Sequence, residues 1–186
     1  MTLAQFVLDA QLLPQGRLSL RVFEPRYLRM VADAMAGRRG FGICTADPQG
    51  RLCPIGTWVD IIDFERLPDG LLGLLVQGRQ RYRILSSHQE EDHLQVAEVA
   101  MLPQWPAHPM TQAGKPLSRL LYHLFELHPE LAELYPERHY EDLTWVTARW
   151  LELLPLTGPQ RQPLMQPDSC DPALDFLCNQ LTRALS

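Results

Sequence analysis

Lysine is almost missing from this 186-residue chain: Lys115 stands alone, and every other basic side chain is an arginine. Lysine nucleophile or Schiff-base chemistry therefore has one candidate, which sits in a loop-like stretch between Gly114 and Pro116 without activating neighbours. Cysteine is sparse as well. Cys44, Cys53, Cys170 and Cys178 lack the paired C-x-x-C spacing of a zinc site and are too few for a secreted disulfide scaffold, so they read as reduced thiols. No apolar run reaches 18 residues, which leaves no candidate membrane span, and the first residues lack the cationic start of a secretory signal. A cytoplasmic location is the expectation.

Several chemical signatures are absent too. There is no G-x-x-x-x-G-K-[ST] phosphate loop, no G-x-G-x-x-G before a helix, no G-x-S-x-G elbow and no H-E-x-x-H pair. Neither a catalytic residue nor a cofactor is expected. His88 and His93 flank Gln89-Glu90-Glu91-Asp92, which reads as a solvated acidic hairpin tip rather than a metal site. Positive charge is in deficit, with 17 Lys plus Arg against 22 Asp plus Glu. That balance disfavours a dedicated nucleic-acid surface, which needs a basic footprint.

What is present is a globular composition, 46% hydrophobic and 21% charged, in a length that suits one large domain or two small lobes. The periodicity changes along the chain. Short apolar strands separated by turns predict a β-rich lobe over 1–103, three prolines between Pro103 and Pro109 mark a connector over 104–114, and helical spacing predicts a bundle over 115–186. The fold class expected is α+β. Separate strands are predicted over 71–76 and 82–85, and the apolar phase slip between Val96 and Val99 predicts a bulge in the last strand. Leu67-Pro68-Asp69-Gly70 has the chemistry of a three-residue hairpin loop. A tight turn centred on Pro48 and Gln49 would set Cys44 opposite Cys53.

Pro25 is placed to open a helix with a Tyr27, Leu28, Val31, Met35 stripe and a left-handed stop at Gly37. In the second half, helices are predicted around Leu117 to Leu124, around Leu143 to Leu153, and from Asp171 to Leu185. Arg79, Arg81 and Arg83 alternate at strand spacing and so share a face, read as a solvated outer surface or a set of ion pairs.

Two stretches carry a resemblance. The run Leu13-Pro14-Gln15-Gly16 through Phe23-Glu24-Pro25-Arg26-Tyr27, followed in order by Ile55-Gly56-Thr57, Pro68-Asp69-Gly70 and Gly78-Arg79-Gln80-Arg81-Tyr82-Arg83-Ile84, resembles the N-terminal substrate-binding domain of the Lon protease family, which also occurs as a stand-alone bacterial protein. An aromatic commonly precedes the family's proline, where this chain has Leu13. The resemblance implies a curved, PUA-like β-barrel lobe followed by helices, a non-catalytic role in recognising unfolded or damaged polypeptide or a protein partner, and no ATPase or protease centre. It leaves room for a homodimer. The motif residues Phe23, Glu24, Pro25, Arg26, Tyr27, Gly56, Thr57, Asp69, Gly70, Gly78 and Arg81 are read as fold-determining before ligand-contacting, with Phe23 and Tyr27 filling the core beneath the helix and Glu24 paired with Arg26 or Arg81. The groove residues stay unassigned. A PUA-like RNA-binding module using Arg79, Arg81 and Arg83, and an enzyme with an unrecognised site, are the alternatives. Because the connector lets the halves meet at an angle, a partly apolar concavity between them is expected.

Overall fold

A computed structural model describes residues 1–166 and 170–184, with side chains only to residue 180. Leu185 and the side chain of Leu181, expected on the last helix, lie outside the described residues. The fold is α+β. Six strands come first, β1 Thr2–Val7, β2 Arg17–Val22, β3 Phe41–Cys44, β4 Ile55–Arg66, β5 Leu72–Gln89 and β6 Gln95–Met101, with helix α1 Pro25–Met35 inserted after β2. Helices α2 Lys115–Leu127, α3 Pro129–Glu133, α4 Leu143–Leu153, α5 Gly158–Arg161 and α6 Asp171–Ala184 come next, and a 3₁₀ turn spans Gln162–Met165. No helix of the described residues is long and apolar enough to cross a membrane.

The sheet closes on itself. β5 pairs with β4, β4 with β3, β3 in parallel with β1, β1 with β6, and β6 returns to β5, while β2 lies along the first half of β5. One strand can belong to both parts only because it is long. Residues 71–76 and 82–85, expected as separate strands, are one strand of 18 residues, since the ladder to β4 absorbs Arg79 as an irregularity between Trp58 and Val59 instead of breaking there. The bulge expected in β6 falls on its partner. Ile84 faces Val99 and Ser86 faces Glu98, so Leu85 is the extra residue, and β6 keeps its regular geometry.

Both turns are three-residue loops, and this moves one register. Gly70 and Gly50 hold φ of 84° and 78°, and Asp47 bonds Arg51 across the loop. Ala46 therefore pairs with Leu52, and Thr45 accepts from Cys53 N at 2.9 Å, so Cys44 is one position out of line with Cys53. A third loop residue, not the expected two, accounts for the shift. Neither cysteine forms a disulfide.

Helix α1 packs Tyr27, Met30 and Val31 into a cluster with Phe6, Leu74, Val76 and Leu94, and Tyr27 stacks on Phe6 with ring centroids 4.3 Å apart. Leu28 and Met35, expected on this stripe, are exposed, because the helix meets the sheet along its Tyr27–Met30–Val31 edge. Phe23 is also outside the core at 62% exposed: it lies just past the end of β2, before the helix begins, where neither element covers it. The hairpin tip after β5 is not simply solvated. Arg29 and Arg39 both reach Glu90, at 2.5 and 2.7 Å, and Arg29 holds Asp92, so the acidic tip clamps α1.

The helices wrap a second cluster around Leu121, Phe125, Trp145, Val146 and Leu151, and Leu13, Ile55 and Leu102 from the strand half belong to it. The two halves share a core. Any groove at their junction therefore has walls from both.

Candidate functional site

The connector is where strand chemistry meets helix chemistry. Arg81 leaves β5 on the face away from Tyr82, which is buried with Leu3 and Val99. That outward face would be wet in an isolated sheet, but here the 3₁₀ turn and the connector lie over it, and Arg81 is 1% exposed. Its guanidinium donates to the carbonyls of Met165 (2.7 Å), Gln166 (2.8 Å) and Pro103 (2.7 Å) and stacks on Trp105, 4.4 Å from the ring centroid. Burial lowers its pKa to about 10. The expected solvated or ion-paired arginine face is thus corrected at Arg81, whereas Arg79 stays exposed and bridges Asp60 at 3.3 Å. Arg79 lies over Trp58 beside Asp60, and Arg83 donates to the Gln166 side chain. No free basic stripe remains.

A second latch lies on the other side of the junction. Arg149 of α4 grips Glu152 through Nε (2.7 Å) and Nη2 (2.9 Å), and Nη2 also donates to the Pro14 carbonyl. Glu152 in turn accepts from the Leu13 amide at 2.6 Å. Burial pushes the Glu152 carboxyl up against the pull of Arg149. Tyr135 completes the group by accepting from the Arg17 amide. The Pro14-Gln15-Gly16 turn can reach this latch because Gly16 has no side chain; a Cβ there would lie 2.0 Å from Glu152 Oε1. Gly78 serves the opposite side of the same turn, exchanging hydrogen bonds with Gln15 and Gly16, and its Cβ would strike the Leu13 carbonyl oxygen at 2.1 Å.

Between the latches runs a cleft of about 400 Å³. Its lining combines Trp105, Ala107, Pro14 and the largely buried Trp145 with the amides of Gln15, Gln77 and Gln104 and with Asp60 and Arg79. Asp142 caps α4 by accepting from the Thr144 and Trp145 amides, which fixes where the Trp145 indole enters.

Three motif residues, Thr57, Gly78 and Arg81, meet at this junction, with Thr57 Oγ1 donating to the Leu12 carbonyl at 2.5 Å. The others lie elsewhere. Glu24, Pro25, Arg26 and Tyr27 form the start of α1, with Glu24 bridged to Arg26 at 2.6 Å, not to Arg81. Gly56 faces the Tyr82 ring across the ladder. Asp69 and Gly70 make the β4–β5 tip, where Asp69 pairs with Arg21. Missing from the sequence reading were Trp105, Arg149, Glu152 and Gln166. Arg149 did leave a signal, as the single charge in the 145–151 stretch of a helix. No cluster of three or more metal-ligating side chains occurs among the described residues.

Residues 2–183 match the ATP-dependent protease La (LON) substrate-binding domain family. The chain belongs to that family. A Lon N-terminal domain protein from Xanthomonas campestris has the same architecture, with a TM-score of 0.77 and 31% identity over 95% of this chain and 96% of that one. The N-terminal domain of a Mycobacterium avium complex Lon protease superposes with a TM-score of 0.64 at 16% identity, covering 96% and 97% of the two chains, which speaks to the fold alone. A Lon protease of Dictyoglomus thermophilum is 30% identical over 130 residues, 67% of this Lon-type chain. The match spans only 16% of that relative's length.

Proposed function

We propose that this Lon-type domain is a non-catalytic recognition module whose inter-half cleft holds extended segments of unfolded polypeptide. The carrying observation is the cleft itself: indole and alanine surface flanked by side-chain amides at the junction of the halves. Apolar side chains of a bound segment would lie against Trp105, and its backbone N–H and C=O groups would find amide partners in Gln15, Gln77 and Gln104, which both donate and accept. Such contacts do not depend on sequence, which suits a module that meets many chains. A folded partner would present neither free backbone nor interior side chains. Ordering a flexible chain costs conformational entropy, so a single short segment binds weakly, and a dimer would raise avidity on one long chain.

Fluorescence anisotropy with one labelled protein in its unfolded and native forms tests this, at low and high salt. Saturable binding of the unfolded form alone, weakened by Trp105→Ala with the far-UV spectrum retained, supports the proposal. Equal affinity for both forms, or none by about 100 μM, removes it. Affinity that collapses with salt points to charge-driven association instead.

A further inference from the structure

Strand β4 outruns its neighbour. β3 pairs with it only at Thr57 and Trp58, so residues 59–66 pair with β5 on one side and, among the described residues, with no strand on the other. Along this stretch runs a groove of about 590 Å³, lined also by Ala34 and Met35 at the end of α1. Every residue from Trp58 to Phe64 lines it. A groove laid over one face of a strand would meet alternate residues only, so this one follows the strand's edge, where the backbone itself is presented. An unpaired edge of this length is a template for one further strand of about six residues.

The two faces of the edge differ in chemistry. Residues directly opposite across a ladder point to the same face, and Ile61 and Phe64 stand opposite Val76 and Leu74, which are buried in the α1 cluster. Asp60, Asp63 and Glu65 stand opposite Gln77, Leu75 and Gly73, and so share the other face. Asp60 is bridged to Arg79, whereas Asp63 and Glu65 are exposed and form no ion pair among the described residues. A matching strand therefore turns apolar side chains toward α1 and cationic side chains toward the carboxylates, alternating residue by residue. A second copy does not fit. Pairing two β4 edges about a two-fold axis would set the same three carboxylates against one another on one face, and the bulge at Ile62 twists the edge away from extended sheet-to-sheet contact. We propose that the free edge of β4 captures, by strand addition, an extended segment of another protein in which Lys or Arg alternates with apolar residues. Asp60 is the one lining residue shared with the inter-half cleft, and the inference does not depend on that cleft binding polypeptide.

The probe is a capped peptide of about seven residues alternating arginine and valine, titrated into the intact protein and followed by amide NMR shifts. Saturable shifts should map to 59–66 and the end of α1, and a glutamate–valine peptide of the same length should bind about tenfold more weakly. The double variant Asp63→Lys with Glu65→Lys changes two exposed side chains and should invert that order. Trp105→Ala should leave it unchanged. Methylating alternate backbone nitrogens of the probe separates the ladder from the charge: methylation on the residues that face β4 should abolish binding, and methylation on the others should spare it. Equal affinity for the two peptides, tolerance of both methylation patterns, loss of binding with Trp105→Ala, or no saturation by about 5 mM would overturn the assignment. Concentration-dependent shifts at 59–66 without any peptide, which would seat a second copy on the edge, would do the same.

Discussion

Arg81 and Arg149, two of the arginines buried at the junction, solve one problem in opposite ways. Arg149 starts in the helical half, carries its own counter-charge in Glu152, and offers the finished pair to the backbone of Leu13 and Pro14. Arg81 starts in the strand half and brings no carboxylate, surrounding itself with three carbonyl oxygens and an indole. A buried ion pair is costly to break because the surviving partner is stranded; a charge solvated by carbonyls strands only dipoles. The latches should therefore differ in the cost of their removal, though both fasten the same two halves.

That contrast is sharpest in stability. Arg149→Met should cost about 3–5 kcal/mol in urea unfolding, because Glu152 is left in the core without its counter-charge. Adding Glu152→Leu should recover part of the loss but not all, since the Leu13 amide loses its acceptor. Arg81→Met should cost less, about 2 kcal/mol, as its acceptors lose donors without leaving a bare charge. A loss for Arg81→Met equal to or above that for Arg149→Met would break the comparison.

The α1 clamp extends the contrast to a half-exposed site. Arg39 and Arg29 lower the Glu90 carboxyl from 4.5 to about 2. Its stabilising contribution is complete above the ordinary carboxylate value and is lost as the pH falls through about 2. Glu90→Gln should flatten the stability profile across that window and leave it unchanged near pH 7 apart from a constant offset. The smallest effect concerns thiols. Burial pushes Cys44 up to about 12, so at pH 8 it should stay unlabelled by a thiol reagent in the native protein and react only on unfolding.

Much of the fold was legible because it rests on local chemistry. Pro25 at the head of α1, the left-handed Gly37 behind it and the Pro-Asp-Gly loop each need only their neighbours to be recognised. Register was less accessible, since the offset between Cys44 and Cys53 hangs on one loop residue. The junction was largely hidden. That a cleft should lie there could be argued from the prolines, but the burial of Arg81 depends on Met165 and Gln166, more than 80 positions away, and the alternating arginines of β5 look identical whether water or a helix covers them. Phe23 shows the converse: an aromatic in a family motif reads as core, yet the element boundary leaves it outside.

Gln162 gives the sheet a full stop. Its side-chain oxygen accepts from the Ile55 amide at 2.8 Å and its nitrogen donates to the Ile55 carbonyl at 3.1 Å, imitating with one amide the exchange a neighbouring strand would make. At the point where β4 begins, the ladder is signed off by a helix-borne group before any other chain can continue it. The contact that joins the halves thus also protects a strand terminus from templating foreign strands, so loosening the helical half would expose an adhesive backbone along with the core. Solubility and architecture share one glutamine.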